Sequence, residues 1–298
     1  MKKVTLLLLT IVLSAAMAAC GGGGKSVTVG AKNFTEQFLL SQMTVQMLEA
    51  NDFEVEENNN MGSTALREAL VNRQVDLSWD YTGTALITYM EEEPAASPEE
   101  AYEKVQEIDA EENDLVWSNL SDINNTYTVV MREEQAQELG IASLSDLADY
   151  VNENPGEITI ATDAEFGNRP DGLPGVEETY GFEFGSENKE EMTIGLTYEA
   201  LNNDEVQASV GFATDPQIDE YDLISLEDDQ QFFPSYNAAV SMTQETYDEY
   251  PEIEEILQPL AEELDDETMR ELNYRVDIEE ENVADVAQDF LQENGFIE

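Results

Sequence analysis

Hydrophobic and polar positions along the chain alternate between two periods. Val27-Thr-Val29 is a short β-prone run. From Asn33 to Ala50 the apolar positions Phe38, Leu39, Met43, Met47 and Leu48 recur at helical spacing, and Asn33 followed by Glu36 has the pattern of a capping box. Phe53–Glu57 reads as a strand, Thr64–Val71 as a helix, Val75–Trp79 as a strand and Thr82–Met90 as helical. Ser97-Pro98-Glu99-Glu100 is a helix start, with a cap, proline at the first position and glutamate at the third. Strands are predicted over Leu115–Trp117, Tyr127–Met131, Ile158–Ala161 and Val206–Phe212. Helices are predicted over Ser145–Val151, Gly175–Tyr180 and Thr197–Asn202. Three more, Glu252–Glu263, Asp266–Tyr274 and Glu281–Asn294, close the chain. Strands interleaved with helices predict an α/β fold with two sheets.

The first twenty residues do not belong to that pattern. Lys2 and Lys3 precede an apolar run, Val4 to Leu13, and small residues follow. The run is shorter than the about 20 residues that span a bilayer, so it reads as a secretory signal over residues 1–19. Met17-Ala18-Ala19-Cys20 resembles the lipobox of bacterial lipoproteins, which implies a lipid on Cys20 and an extracytoplasmic protein anchored to the cell membrane. Residues 20–26 then read as a flexible tether, glycine-rich from Gly21. The GGGGKS run does not meet the spacing of a phosphate-binding loop, and no strand precedes it.

Composition narrows the chemistry. The 298 residues carry 12 Lys and Arg against 67 Asp and Glu, a net charge of −55 that repels phosphate backbones and anionic headgroups and excludes nucleic acid as a partner. Hydrophobic residues at 41% are sufficient for a core, so the charge does not imply disorder. Charge of this size fits a concentrated-salt or alkaline medium, where ions screen the repulsion. Without histidine, and with one cysteine, the chain lacks the commonest general base and metal ligand, and an internal disulfide is excluded. The acidic runs Glu91–Glu93, Glu111–Glu112 and Glu279–Glu281 read as solvated faces, and no calcium loop is present. No metal and no cofactor are expected.

Six blocks carry a family resemblance. Val29-Gly-Ala-Lys-Asn-Phe-Thr-Glu-Gln37, Asp80-Tyr-Thr-Gly-Thr84, Asn124-Asn-Thr-Tyr127, Phe166-Gly-Asn-Arg-Pro-Asp-Gly172, Phe232-Phe-Pro-Ser-Tyr236 and Met269–Asp277 occur in this order. Together they resemble the osmoprotectant-binding proteins of ABC importers, which take glycine betaine, choline and carnitine. The resemblance implies a type II periplasmic-binding-protein fold: two lobes joined by a two-strand hinge, with ligand in the cleft. Lobe one would comprise residues 27–126 plus 235–298, and lobe two 127–234.

A trimethylammonium ligand has positive charge but no N–H, so aromatic faces and dispersion must hold it. The resemblance implies a cage of Tyr81, Tyr127 and Tyr236; the fourth position, tyrosine in the family, falls on Phe212, which keeps a π-face and loses the hydroxyl. Arg169 and Lys32 fall inside family blocks in a chain short of cations, and are the candidates to hold a ligand carboxylate. Glu165 would brace Arg169, Gln37 would supply a polar wall, and Asn125 would lie near the hinge. The resemblance also implies that Thr84 stands where choline-restricted members tend to carry an acid and betaine binders threonine, which favours glycine betaine or a broad ligand range. The implied protein is a monomeric binding protein, not an enzyme, delivering a quaternary-ammonium solute to a membrane permease and touching the membrane only through its anchor. The alternatives are a choline- or carnitine-preferring member, a lipid-anchored secreted hydrolase, or a solute sensor. No GxSxG or HExxH motif supports the hydrolase.

Overall fold

The computed structural model describes residues 24–298; the expected signal sequence 1–19, Cys20 and tether residues 21–23 lie outside the described residues. The first part of the chain runs β1 (Lys25–Lys32), α1 (Thr35–Glu49), β2 (Phe53–Met61), α2 (Ser63–Val71), β3 (Leu77–Tyr81), α3 (Pro98–Glu112) and β4 (Leu115–Ser118). The middle runs β5 (Tyr127–Arg132), α4 (Glu133–Leu139), α5 (Leu144–Glu153), β6 (Ile160–Thr162), α6 (Leu173–Tyr180), β7 (Lys189–Glu191), α7 (Ile194–Asn202), β8 (Ala208–Phe212), α8 (Gln217–Glu220) and β9 (Leu223–Ser225). The chain then returns through β10 (Ala238–Thr243) and closes with α9 (Gln244–Glu249), α10 (Glu252–Glu263), α11 (Asp266–Asp277) and α12 (Val283–Glu293).

These strands form two five-stranded sheets, ordered β2-β1-β3-β10-β4 and β7-β6-β8-β5-β9. In the first, β1 is parallel to β2 and β3, while β10 runs antiparallel to β3 and β4. In the second, β5 is antiparallel to β8 and β9, and β6 is parallel to β7 and β8. The α/β reading with two sheets holds. The chain crosses between sheets after β4 and again before β10, and the two crossings meet at an isolated bridge, Asn124 to Asn237. Asn125 N donates to Tyr236 O (3.2 Å) and Tyr236 N to Asn124 Oδ1 (2.7 Å), so the joint is tied by backbone and side chain together.

α1 shows how packing sets the first sheet. Leu39, Leu40, Met43 and Leu48 are fully buried, and the helix lies against α10, α11 and α12. Trp79 on β3 buries its indole and donates Nε1–H to Thr44 Oγ1 at 2.9 Å, satisfying a donor that burial would otherwise penalise. The main hydrophobic cluster is continuous from Val27 and Trp79 in the first sheet, through Tyr81, Tyr127 and Tyr236, to Val129 and Ile160 in the second.

Several local expectations differ from the structure. The helix predicted from Asn33 starts at Thr35, with Phe34 in extended conformation at the cap position and no side-chain cap. Glu36 does not close a capping box; its carboxylate is buried and bonded elsewhere. Ser97 does cap α3, accepting from Glu100 N at 3.2 Å, with Pro98 in the first turn. The stretch after Tyr81 is helical only over Thr82–Thr84, then widens to a π-helix over Ala85–Tyr89, a form frequent beside functional sites. Strands β7, β9 and β10 were not predicted, and β1 takes in Lys25 and Ser26 from the end of the expected tether.

Candidate functional site

Strand register assembles the site. Tyr127 at the start of β5 lies opposite Phe212 at the end of β8, and Tyr81 at the end of β3 lies opposite Ala238, two residues after Tyr236. The register of each sheet therefore brings two of the four aromatic residues to one strand end. Gly83 permits a close approach: a Cβ there would stand 2.7 Å from Ser235 O and 2.8 Å from the Tyr236 ring. Gly211 does the same behind Phe212, because the Tyr198 hydroxyl occupies the place of its Cβ on the way to Asp215. Asp215 in turn accepts from Phe212 N at 2.9 Å.

Between the sheets lies a cavity of about 440 Å³, the size expected for a small-molecule site. Tyr81, Tyr127, Phe212 and Tyr236 all line it. Ring centroids are 5.0 Å apart for Tyr127 and Phe212 and 5.6 Å for Tyr127 and Tyr236, the latter pair nearly perpendicular. Burial pushes the phenols of Tyr81, Tyr127 and Tyr236 well above their ordinary range, so each presents a neutral ring. Lys32, Thr84, Asn125, Glu165 and Arg169 share the lining, so nine of the ten expected ligand-binding residues surround one space. Gln37 does not line it. It stands behind, donating Nε2–H to Tyr81 Oη (3.0 Å) and accepting from Lys32 N (3.2 Å), so it orients two wall residues.

The charges are arranged in buried pairs. Lys32 Nζ sits 2.6 Å from Asp80 Oδ1 and 4.9 Å from the Tyr81 ring centre. Tyr89, carried inward by the π-turn, donates to Asp80 Oδ2 at 3.1 Å. Arg169 is gripped by Asp171 through Nε (2.8 Å) and Nη2, donates to Thr84 Oγ1 (3.3 Å), and lies 5.6 Å over Tyr127. Its contact with Glu165 is longer, 3.4 Å, so the expected brace is secondary and Asp171 is the main one. Asp171 also accepts the Tyr236 hydroxyl at 2.7 Å, coupling one of the four lining rings to the arginine.

Glu165, from the second-sheet half, accepts from Ser63 N (2.6 Å) and Oγ (2.7 Å) at the start of α2, so it ties the two halves across the cleft. Burial raises its pKa, but Lys32, the Ser63 donors and Arg169 outweigh burial and leave it lowered. Asp163, also in the lining, is raised by burial despite backbone donors. Glu36 makes a second tie. Buried beside the crossing between the sheets, its carboxylate accepts from Tyr81 Oη (2.6 Å), Asn125 Nδ2 (2.8 Å) and Thr214 Oγ1 (2.8 Å). Burial raises its pKa more than these donors lower it. With Asp163, Glu165 and Glu191 on the wall against Lys32 and Arg169, the cavity has an excess of acid and favours a ligand carrying positive charge.

Phe34 is the wall that sequence reading missed. It stacks on Tyr81 (6.2 Å) and on Phe212 (5.2 Å). Phe34, Glu36, Asp80 and Asp171 all stand inside the family blocks, which was the available signal. Ser63, Met192 and Ile194 stand outside them and carried none.

The family comparison decides what such a cleft belongs to. The OpuAC family, the substrate binding domain of ABC-type glycine betaine transport systems, matches residues 25–293. The chain belongs to this family. It is similar to a glycine-betaine-binding protein of Pseudomonas aeruginosa, 39% identical over 279 residues, covering 92% of this chain and 89% of the relative. The glycine betaine-binding protein YehZ of Escherichia coli is 32% identical over 278 residues, covering 91% of each. Among solved structures, one described as a glycine betaine/carnitine/choline ABC transporter aligns with a TM-score of 0.72 at 30% identity, over 91% of this chain and all of the other. As an OpuAC-family member the chain is an extracytoplasmic substrate-binding protein with a small solute as ligand and an ABC permease as partner, not an enzyme. The periplasmic-binding-protein architecture expected from the sequence is the one observed. Among the described residues no helix is long and apolar enough to cross a membrane, and no group of three acidic or cysteine side chains is placed to hold a metal ion.

Proposed function

We propose that the cavity binds a quaternary-ammonium compatible solute, glycine betaine first, and hands it to the permease for osmoprotection. The observation that carries this reading is the set of neutral rings, Tyr81, Tyr127, Phe212 and Tyr236, around an acid-rich cavity that also presents two partly free cations. The rings take the trimethylammonium, which offers no proton to any acceptor. The carboxylate takes what the internal pairs leave over. Lys32 spends one of its three donors on Asp80, and Arg169 spends its fork on Asp171, Thr84 and a long contact to Glu165, leaving an Nη1–H. Thr84 supports the betaine preference: a neutral hydroxyl beside Arg169 adds no second acid to the Asp171 pair, so the remaining Nη1–H is left for a ligand carboxylate.

The names of two relatives support glycine betaine, the Pseudomonas protein and YehZ, while a relative from Listeria monocytogenes at 32% identity is named for carnitine. Anchoring through a lipid on Cys20, and a monomeric state, belong to the same reading. The lobes divide as residues 27–126 with 235–298 against 127–234, and closure about Asn124 and Asn237 expels water and strengthens the ring and charge contacts. Calorimetric titration of the purified protein with glycine betaine, then choline, is the test. Saturable binding with glycine betaine tighter than choline is expected; a folded sample giving no heat with either ligand overturns the reading.

A further inference from the structure

A second cavity of about 380 Å³ lies against the first. The two share Asn33, Phe34, Thr193, Ile194 and Phe212 in their walls. Phe34 precedes α1 in the first-sheet half, and Phe212 ends β8 in the second. Their rings stack across the cleft at 5.2 Å and 27°. Beyond them, Glu199, Asp215 and Asp277 line the outer chamber together with Tyr221, and no lysine or arginine does. The ring pair is therefore the wall between a small caged site and an acid-lined annex of similar size.

We propose that the Phe34–Phe212 stack is the partition that sets the length of ligand the cleft accepts, confining it to compact quaternary-ammonium solutes and shutting an extended cation out of the outer chamber. The proposal rests on the function proposed above and adds its size limit. A ligand filling the inner site alone lets the two rings meet, and their contact contributes to closure. A longer ligand must keep them apart, so it forfeits the stack and holds the cleft open. Phe34 is the member to change. At the cap position of α1 it contributes only its backbone and makes no hydrogen bond through its side chain, so truncating it opens the wall without orphaning a polar group.

The test compares wild type with Phe34→Ala and the milder Phe34→Leu, using glycine betaine and hexamethonium, whose two trimethylammonium groups are joined by six methylenes. Hexamethonium affinity should rise in the order wild type, Phe34→Leu, Phe34→Ala, with a gain of at least about tenfold for alanine. Adding Glu199→Gln, which removes an exposed outer-chamber charge that makes no internal hydrogen bond, should reduce that gain; a merely loosened cleft would not respond to it. Tight hexamethonium binding already in wild type, or equal affinities across the series with cooperative melting retained, overturns the partition. Wild-type binding of glycine betaine reports on the functional reading alone, and the ratio of hexamethonium affinities reports on the partition alone.

Discussion

At the scale of single residues, ring and hydroxyl would do different work in the proposed cage. Tyr81 and Tyr236 each line the cavity, and each hydroxyl is tied to a buried carboxylate, Glu36 and Asp171 respectively. Tyr81→Ala and Tyr236→Ala should each weaken glycine betaine binding at least about tenfold, equivalent to about 1.4 kcal/mol. Tyr236→Phe should keep most of the affinity, because the ring face remains; calorimetry on the three variants separates the contributions, and unchanged affinity in both alanine variants would sink the cage. Asp215 carries a second prediction. Partly buried beside Phe212 and accepting from Tyr198 Oη at 2.7 Å, its carboxyl is pushed up to about 7 by burial, above the effect of its hydrogen bonds. The folded state thus holds a proton that the unfolded chain releases near pH 4. This contribution to stability is complete below about pH 4 and is lost as pH rises through 7. Asparagine keeps both acceptor contacts and cannot ionise, so stability of Asp215→Asn relative to wild type should rise between pH 5 and 8, as measured by denaturant unfolding; a flat difference refutes the assignment. As cavity-lining positions, Tyr81, Tyr127, Tyr236, Lys32 and Arg169 were legible because they fall inside family blocks, and Phe212 because it falls on a further family position outside them. Phe34, in the first of those blocks, was not read as a wall, because an apolar residue beside a helix start is usually core.

At the scale of elements, what the sequence hides is the joining of distant segments. The long helices declared themselves by periodicity and caps, as α3 did at Ser97 and α10 to α12 did by apolar spacing. β10 did not: Ala238-Ala-Val-Ser-Met-Thr243 lacks β-branched alternation, and it is a strand because β3 and β4 bury it on both sides. Glu36 misled for a related reason. Its place three residues after Asn33 has the pattern of a cap, yet its partners come from β3, the first crossing and the loop after β8. One carboxylate thus joins α1 to the crossing between sheets and to the second-sheet half. Glu36→Ala would orphan three buried donors and should cost at least about 2 kcal/mol of stability. Glu36→Gln preserves one acceptor oxygen and the side-chain volume and should cost less than half of that. Urea unfolding of both variants measures the gap. Equal losses would mean that Glu36 only fills space.

At the scale of the whole molecule, the decisive quantity is a net charge of −55. Nine of the ten basic residues among the described residues are held in ion pairs, so the remaining carboxylates repel one another with little internal relief. Screening lengths fall from about 10 Å at 0.1 M salt to about 3 Å at 1 M. Repulsion spread over the surface should therefore relax steeply at low salt and level off, raising the melting temperature by about 5 °C or more between 0.05 and 1 M NaCl, on the order of 2 kcal/mol for a chain of this size. A linear climb, or a fall, would attribute the effect to something other than screening. The same field acts on ligands according to their charge. Choline carries a net positive charge and is drawn toward the molecule from a distance, an attraction that salt removes. Glycine betaine is a zwitterion with no net charge, and the residues proposed to hold it, the rings with Lys32 and Arg169, are largely buried, where ions would not screen them. Titrations across the same salt range should show choline affinity falling while glycine betaine affinity stays within about a factor of two. Such a protein gains selectivity for the zwitterion as the medium becomes saltier, which is the condition under which an osmoprotectant is needed. Parallel decline of both affinities would place the ligand carboxylate, or the ammonium, at the exposed mouth of the cleft instead of among the rings.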